Sequence, residues 1–504
     1  MPLDKRNSLI MPLSLGAPAP GVSLQTWLYQ SLRERVIAGR LPTGARLPST
    51  RALAEHYGIA RGTVQAAYQQ LLSEGYLQAM TGSGTRVSEV LPDPLLHSQL
   101  PPEIEPSVVP LHELPSTPWV GLTGDIYMTF GRKDVTPSGR PFSPQRGDIS
   151  AFPIDIWQKM HARQLRSTRL SMLQDPDPSG ASALREAIAD YLSAARGVKV
   201  SAERILVLSS MQQGIDLCLR LLVQPGQQVW LEDPSCPGSR ARELMDISGC
   251  NIVNVPVDKH GLLVDEGVRH APQARLAYVT PSRQLPTGGE MSVARRLALL
   301  RWATETGAYI IEDDYDSEYR FIAKPIPALR SLPTADSSVI LAGTFSKVMF
   351  PAIRLAYLVL PSQLVEPFVR ASALTAGCAN SLSQAVMASF ITDGHFERHI
   401  RRMRKLYASR ADALAEAAHR HWRGLIEVPP IRTGIDVICQ LQMDDEAAAY
   451  EALTEQGIDL LPMSAYCHTP LPPAIVIGFA PYDEKAIFDA AQVVRKTLEK
   501  LLQG

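Results

Sequence analysis

Eight prolines fall within the 28 residues from 91 to 118, LPDPLLHSQLPPEIEPSVVPLHELPSTP. Proline lacks an amide hydrogen and fixes φ, so a run of this density builds neither a helix nor a central strand. The stretch reads as an extended connection, with a reach of about 85 Å at roughly 3.1 Å per residue. That reach could set one end of the chain on another subunit. The 504 residues therefore divide into a flexible tail over 1–22, a small front module over 23–89, a Pro-rich linker over 90–119 and a large rear module over 120–504.

Whole-chain chemistry narrows the class only a little. Apolar residues make up 45% and charged residues 20%, with a net charge of −1, as in a soluble globular protein. The balance is uneven, however. Residues 21–90 hold seven arginines against four glutamates, a local excess of three positive charges. The six cysteines are scattered, with no C-x-x-C pair and no His/Cys cluster at metal spacing. This suits a reducing compartment, and no metal site is expected. Prolines interrupt the first 21 residues, MPLDKRNSLIMPLSLGAPAPG, where a signal peptide needs an apolar core. No stretch has the 18 or so apolar residues of a membrane span. A cytoplasmic protein without membrane contact is expected.

The front module has the periodicity of packed helices. SLQTWLYQSLRERVIAGR opens with Ser23 as an N-cap and places Leu24, Leu28, Leu32 and Val36 at four-residue intervals up to Gly39. A second helix is expected from Ser49 to Tyr57, stopped by Gly58, and a third from near Arg61. In the third, Val64, Ala67, Tyr68, Leu71 and Leu72 face inward while Arg61, Gln65 and Gln69 line the other side. YLQAMTGSGTRVSE then reads as two short strands around a Gly-Ser-Gly turn. Helix, turn, helix and β-wing is an arrangement that places its second helix in the DNA major groove. The residues GRLPTGARLPSTRALA, RGTVQAAYQQL and GSGT resemble the GntR-type winged helix-turn-helix. By that resemblance Arg51, Arg61 and Thr63 contact phosphates or base edges of a double-stranded operator. Arg46, Ser49 and Gly84 lie at the DNA backbone.

The rear module alternates short apolar runs (RILVLSS, QQVWLED, RLAYVT, AYIIEDD, SSVILAG, AYLVLP) with helix-like segments. Such alternation implies an α/β fold with a largely parallel sheet and sites at the carboxyl ends of its strands. The polar motifs fall at those ends. Ser210, Met211 and Gln212 open a helix, where unpaired amides and the positive dipole end favour a phosphate. Asp313, Asp314 and Tyr315 follow a buried strand, where a carboxylate can stabilise a protonated ring nitrogen or belong to a solvated loop. In GTFSKVMFPAIR, Lys347 sits between two apolar runs. Either the turn is exposed and the amine solvated, or the amine serves Schiff-base chemistry. Two further features, the pair His395 and His399 and the run Arg401, Arg402, Arg404 and Lys405, read as a solvated helix face rather than metal or nucleic-acid sites.

Taken in this order, with TPSRQLPTGGEMS, DPDPSGASALREAIADYLSAARGV and GHFERHIRRMRKLY, the motifs resemble the aspartate-aminotransferase fold (fold type I) of pyridoxal 5'-phosphate (PLP) enzymes over nearly all of 120–504. The resemblance implies that Lys347 forms the Schiff base and Asp313 pairs with the pyridine nitrogen. It places Tyr315 near the phenolic oxygen and Thr344, Ser346 and Arg354 on the phosphate. A GntR-type head on such a body is similar to the MocR/GabR family of PLP-dependent transcription regulators, typically head-to-tail dimers whose DNA binding responds to PLP or an amino compound. The alternative is a working aminotransferase with a DNA-binding appendage; a third reading keeps the body for dimerisation alone.

This chain departs from the family pattern at four points. Ser210 stands for the glycine of the phosphate turn, Cys236 for the aromatic that stacks on the ring, Arg283 for a histidine, and Val476 for the arginine that grips a substrate carboxylate. Arg283 and Arg240 are the candidates for a replacement anion grip. Little or no transamination is expected.

Overall fold

The computed structural model describes residues 15–18, 21–80, 84–89, 139–167, 176–235, 240–321, 327–375 and 377–503. The Pro-rich linker, Cys236 and the first two residues of the Gly-Ser-Gly turn lie outside them. The chain forms two compact units, Met1–Trp119 and Val120–Gly504.

In the first unit, helix α1 spans Leu24–Ile37, and Ser23 caps it by accepting the amide of Thr26 at 3.1 Å. Leu28, Leu32 and Val36 are buried, but Leu24 is 44% exposed and Trp27 is buried instead. Each four-residue step overshoots a full turn by about 40°, so the residue twelve positions before Val36 has rotated well off the core face. Helix α2, Thr50–Tyr57, is capped by Ser49 and ends at Gly58 with φ 63, the left-handed conformation that glycine adopts without a Cβ penalty. Helix α3, Arg61–Ser73, buries Val64, Ala67, Tyr68 and Leu71 against α1 and α2. Leu72 is only half-buried. Strands β1 (Leu77–Met80) and β2 (Gly84–Val87) pair antiparallel as the wing.

The second unit is built on an eight-stranded sheet. Its strands are β3 (Ile205–Leu208), β4 (Gln228–Asp233), β5 (Asn251–Asp258), β6 (Gly261–Leu262), β7 (Leu276–Val279), β8 (Tyr309–Asp314), β9 (Val339–Thr344) and β10 (Ala356–Val359), in the order β3-β10-β9-β8-β7-β4-β5-β6. The stretch from β9 to β5 is parallel, as the apolar runs imply for strands covered on both faces. Strand β10 runs against both β9 and β3, so the sheet is mixed. A second, antiparallel sheet was not anticipated from the sequence: β11 (Ile426–Glu427), β12 (Asp436–Leu441), β13 (Leu461–Pro462) and β14 (Ala474–Gly478), in the order β11-β12-β14-β13.

The register gathers the polar motifs. Ala356 of β10 lies between Leu208 of β3 and Thr344 of β9. Hence Ser210, Ser346 and Arg354, each two residues beyond one of these partners, emerge at one end of the sheet. Asp314 of β8 pairs with Gly343, which brings Asp313 to the same end. Gly343 itself is required there, because a Cβ would overlap the ring of Tyr357.

Candidate cofactor and nucleic-acid sites

Lys347 occupies the turn between β9 and β10. Phe345 is buried and its amide donates to the carbonyl of Leu355 at 3.1 Å, which closes the turn. Ser346 donates its amide to Thr344 Oγ1 at 3.2 Å. Lys347 Nζ donates to the carbonyl of Gln145 at 2.9 Å. Arg354 is exposed and adopts φ 49 and ψ 51, turning the chain into β10.

The two adjacent carboxylates are sorted by their partners. Asp314 is ion-paired with buried Arg196 at 2.7 Å. Asp313 is buried as well, but only its Oδ2 has a partner, the hydroxyl of Tyr278, while Oδ1 has none. Burial raises the Asp313 carboxyl to about 7, although the Tyr278 hydrogen bond and the Lys347 charge pull the other way. An unpartnered carboxylate oxygen in the interior is costly. A protonated ring nitrogen, which brings both a charge and a donor, is the kind of group that satisfies it.

At the other motif, Ser210 caps the helix Met211–Leu222 by accepting the amide of Gln213 at 3.2 Å. Gln213 in turn accepts the amide and hydroxyl of Ser209, each at 2.9 Å. Met211 is buried and Gln212 half-buried at this N-terminus. The glycine-free turn thus forms with serine as the cap.

Arg283 is a correction to the sequence reading of it as a spare anion grip. It is buried, with Nη1 on Asp316 at 2.9 Å and Tyr315 Oη at 3.1 Å, and Nη2 on the Asp436 carboxylate at 2.6 Å and carbonyl at 2.7 Å. Burial opposes its charge, but Asp316, Tyr315 and Asp436 outweigh burial and hold the guanidinium ionised. It lies there because residue 434 is a glycine with φ 84; a Cβ would overlap the guanidinium. Tyr315 also donates its hydroxyl to the Arg283 carbonyl at 3.0 Å. Arg240 caps the helix Ala241–Ser248 with φ 61 and lies 3.4 Å from Glu243. Val476, in register with Ile438 and Leu461, is fully buried in an apolar cluster with Leu285, Met463 and Tyr466.

His399 is a second correction. It is buried rather than solvated, its Nε2 hydrogen-bonds the carbonyl of Val348 at 3.0 Å, and burial lowers its pKa to about 4. A neutral ring with hydrogen on Nε2 therefore props the residue next to Lys347. Its neighbour in the motif, His395, stacks on Phe390. Arg401 pairs with Glu397 at 2.5 Å on the exposed side, as a solvated face would. Among the described residues no cluster of His, Cys, Asp or Glu could hold a metal. Sequence reasoning missed Gln145, Asp436 and Tyr278. Only Tyr278 carried a signal, as the one aromatic residue inside the apolar run RLAYVT.

In the first unit, Arg61 and Thr63 lie at the N-terminus of α3, Arg61 exposed and Thr63 half-buried. Gln65 and Gln69 extend the same exposed face. Arg51 makes an exposed ion pair with Glu55 at 3.1 Å, and Ser49 Oγ accepts the amide of Ala52 at 3.2 Å. Arg46 bridges to Arg86, and its guanidinium lies against Gly84, which has φ 86.

A winged helix-turn-helix and an aminotransferase scaffold in one chain define a DNA-binding regulator built on an enzyme fold. Residues 24–87 match the family of bacterial regulatory proteins, gntR family, and residues 151–492 match aminotransferase class I and II. The chain is 34% identical to the probable rhizopine catabolism regulatory protein MocR of Rhizobium meliloti, over 94% of this chain and 93% of that one. It is 30% identical to the HTH-type pyridoxine biosynthesis transcriptional regulator PdxR of Corynebacterium glutamicum, over 95% and 96%. Among solved structures, the α-aminoadipate aminotransferase LysN of Thermus thermophilus superposes with a TM-score of 0.65 at 24% identity, covering 72% of this chain and 92% of LysN. The chain belongs to the MocR/GabR family of transcriptional regulators. Among the described residues no helix is long and apolar enough to cross a membrane.

Proposed function

We propose that this protein is a cytoplasmic regulator that binds a DNA operator through its front module and senses PLP, or an amino compound reacting with it, through its rear module. The observation that carries the reading is the unpartnered Oδ1 of buried Asp313 at the same sheet end as Lys347. Lys347 would hold the cofactor covalently and Asp313 its ring nitrogen. Thr344, Ser346, Arg354 and the helix start at Ser210, Met211 and Gln212 would hold its phosphate, with Tyr315 beside the ring oxygen. When bound, PLP supplies an electrophilic carbon for amines and a ring that spreads negative charge. Arg51, Arg61 and Thr63 would meet DNA phosphates or base edges, with Arg46, Ser49 and Gly84 along the backbone. The linker's reach supports a head-to-tail homodimer. Catalytic transamination is disfavoured, because Val476 offers no charge and Arg283 is already occupied.

The test is the visible absorption spectrum of the purified protein with and without borohydride. We expect a PLP chromophore that borohydride fixes onto Lys347 and that Lys347→Ala abolishes. A protein that stays colourless with added PLP, or an unchanged spectrum in the variant, overturns the reading.

A further inference from the structure

The carbonyl that receives Lys347 belongs to a residue 202 positions away in the chain. Gln145 has φ 62, a left-handed backbone that a residue with a Cβ adopts only when its surroundings hold it. Two contacts do so. Its amide donates to Asp436 Oδ2 at 3.1 Å, and its carbonyl accepts from Lys347 Nζ. The other oxygen of Asp436 is fixed by Arg283 at 2.6 Å, so the buried ion pair presents Gln145 to the lysine. Residues 139–148 also open the first described stretch after the Pro-rich linker, 139–167.

We propose that the Gln145 carbonyl is the resting partner of the Lys347 amine, and that capture of a carbonyl cofactor by Lys347 releases it. Cofactor loading is thereby read out at the start of the described part of the rear module. The inference rests on Lys347 being the cofactor lysine, as proposed above.

The bond count weakens the contact, because the three N–H donors of an ammonium become at most one. In condensation the lysine ammonium first gives one proton to solvent; the neutral amine's nitrogen then attacks the aldehyde carbon, the carbon–oxygen bond breaks, and both remaining N–H hydrogens leave with that oxygen as water. The nitrogen is left doubly bonded to carbon with no hydrogen, or with one if it takes a proton from solvent. That one hydrogen can no longer swing toward the Gln145 carbonyl as the three of a freely rotating ammonium can. Gln145 then keeps its unfavourable φ with one of its two holds gone. Asp436 is a positioning residue here, because it acts on the lysine only through Gln145.

Hydrogen–deuterium exchange on the full-length protein tests this, following peptides that contain residues 143–148 with and without pyridoxal 5'-phosphate. The chromophore is read in parallel. We expect exchange in this segment to rise about five- to tenfold on loading, the scale of one lost hydrogen bond of ordinary net strength. Lys347→Met, which keeps side-chain length and packing, is expected to show the raised exchange without cofactor and no response to it. If the chromophore forms while exchange stays level or falls, the latch is overturned and the cofactor assignment survives. If the methionine variant exchanges as slowly as the cofactor-free protein, the latch is likewise overturned. If no chromophore forms, both fall together.

Discussion

The Tyr278 hydroxyl donates to one oxygen of the Asp313 carboxylate and leaves the other without a partner. Asp314 next to it is fully engaged by Arg196. Two carboxylates at the end of one strand thus differ in their pairing, one held in an ion pair and one with a free oxygen.

The first prediction follows from that asymmetry. Burial raises the folded-state pKa of Asp313 to about 7, above its unfolded value. The folded protein therefore binds more protons than the unfolded chain between those two values, and this group's contribution falls as pH rises through about 4 to 7. Compared with Asp313→Asn, the cofactor-free protein is expected to lose up to a few kcal/mol across that window. Denaturant melts at pH 5 and pH 8 for both proteins measure the difference. Equal pH dependence in the two refutes it. Removing the Tyr278 hydrogen bond, which lowers this pKa, is expected in Tyr278→Phe to push the titration higher still.

The buried cluster around Arg283 gives the second. Arg283→Ala strands Asp316 and Asp436 in the interior, where each was paired. Loss of one partner of a buried ion pair costs about 3–5 kcal/mol. Gly434→Ala is expected to destabilise through the same cluster, by overlap with the guanidinium and by strain at φ 84. Chemical denaturation reads both, and a loss near zero in either variant contradicts the packing described.

The third concerns DNA. Arg61 is exposed at the start of α3 with no acidic partner among the described residues. If it reads a base edge, Arg61→Ala lowers operator affinity by about 1–3 kcal/mol and relaxes specificity at one position. If it meets only phosphate, the loss is uniform across sequences and the salt slope shrinks by about one. Fluorescence anisotropy over a salt series separates these outcomes. Full affinity and an unchanged slope in the variant would remove Arg61 from the interface.

The fourth is an expected weakness. Aminotransfer needs a substrate carboxylate held so that the Cα–H bond is aligned, usually by an arginine. Here Val476 is sealed in an apolar cluster and Arg283 is held by two aspartates. Steady-state assays over a panel of amino acids and 2-oxo acids are expected to stay below about 1 s⁻¹, the lower end for ordinary enzymes. Faster turnover would favour the enzyme reading.

The sequence alone determined what depends on neighbours in the chain. Apolar runs marked the strands, Ser23, Ser49 and Gly58 marked helix ends, and the order of short motifs carried the resemblance to the aminotransferase fold. Each of these follows from local backbone preference or from a pattern a few residues long. The tertiary structure decided what depends on partners far away in sequence. Strand β10 enters against its neighbours, Arg283 is claimed by Asp316 and Asp436, His399 is drawn inside to the Val348 carbonyl, and Gln145 reaches Lys347. A side chain's type states what it can donate, accept or charge, but its partner is set by burial and by sheet register. These exist only once the whole chain has packed.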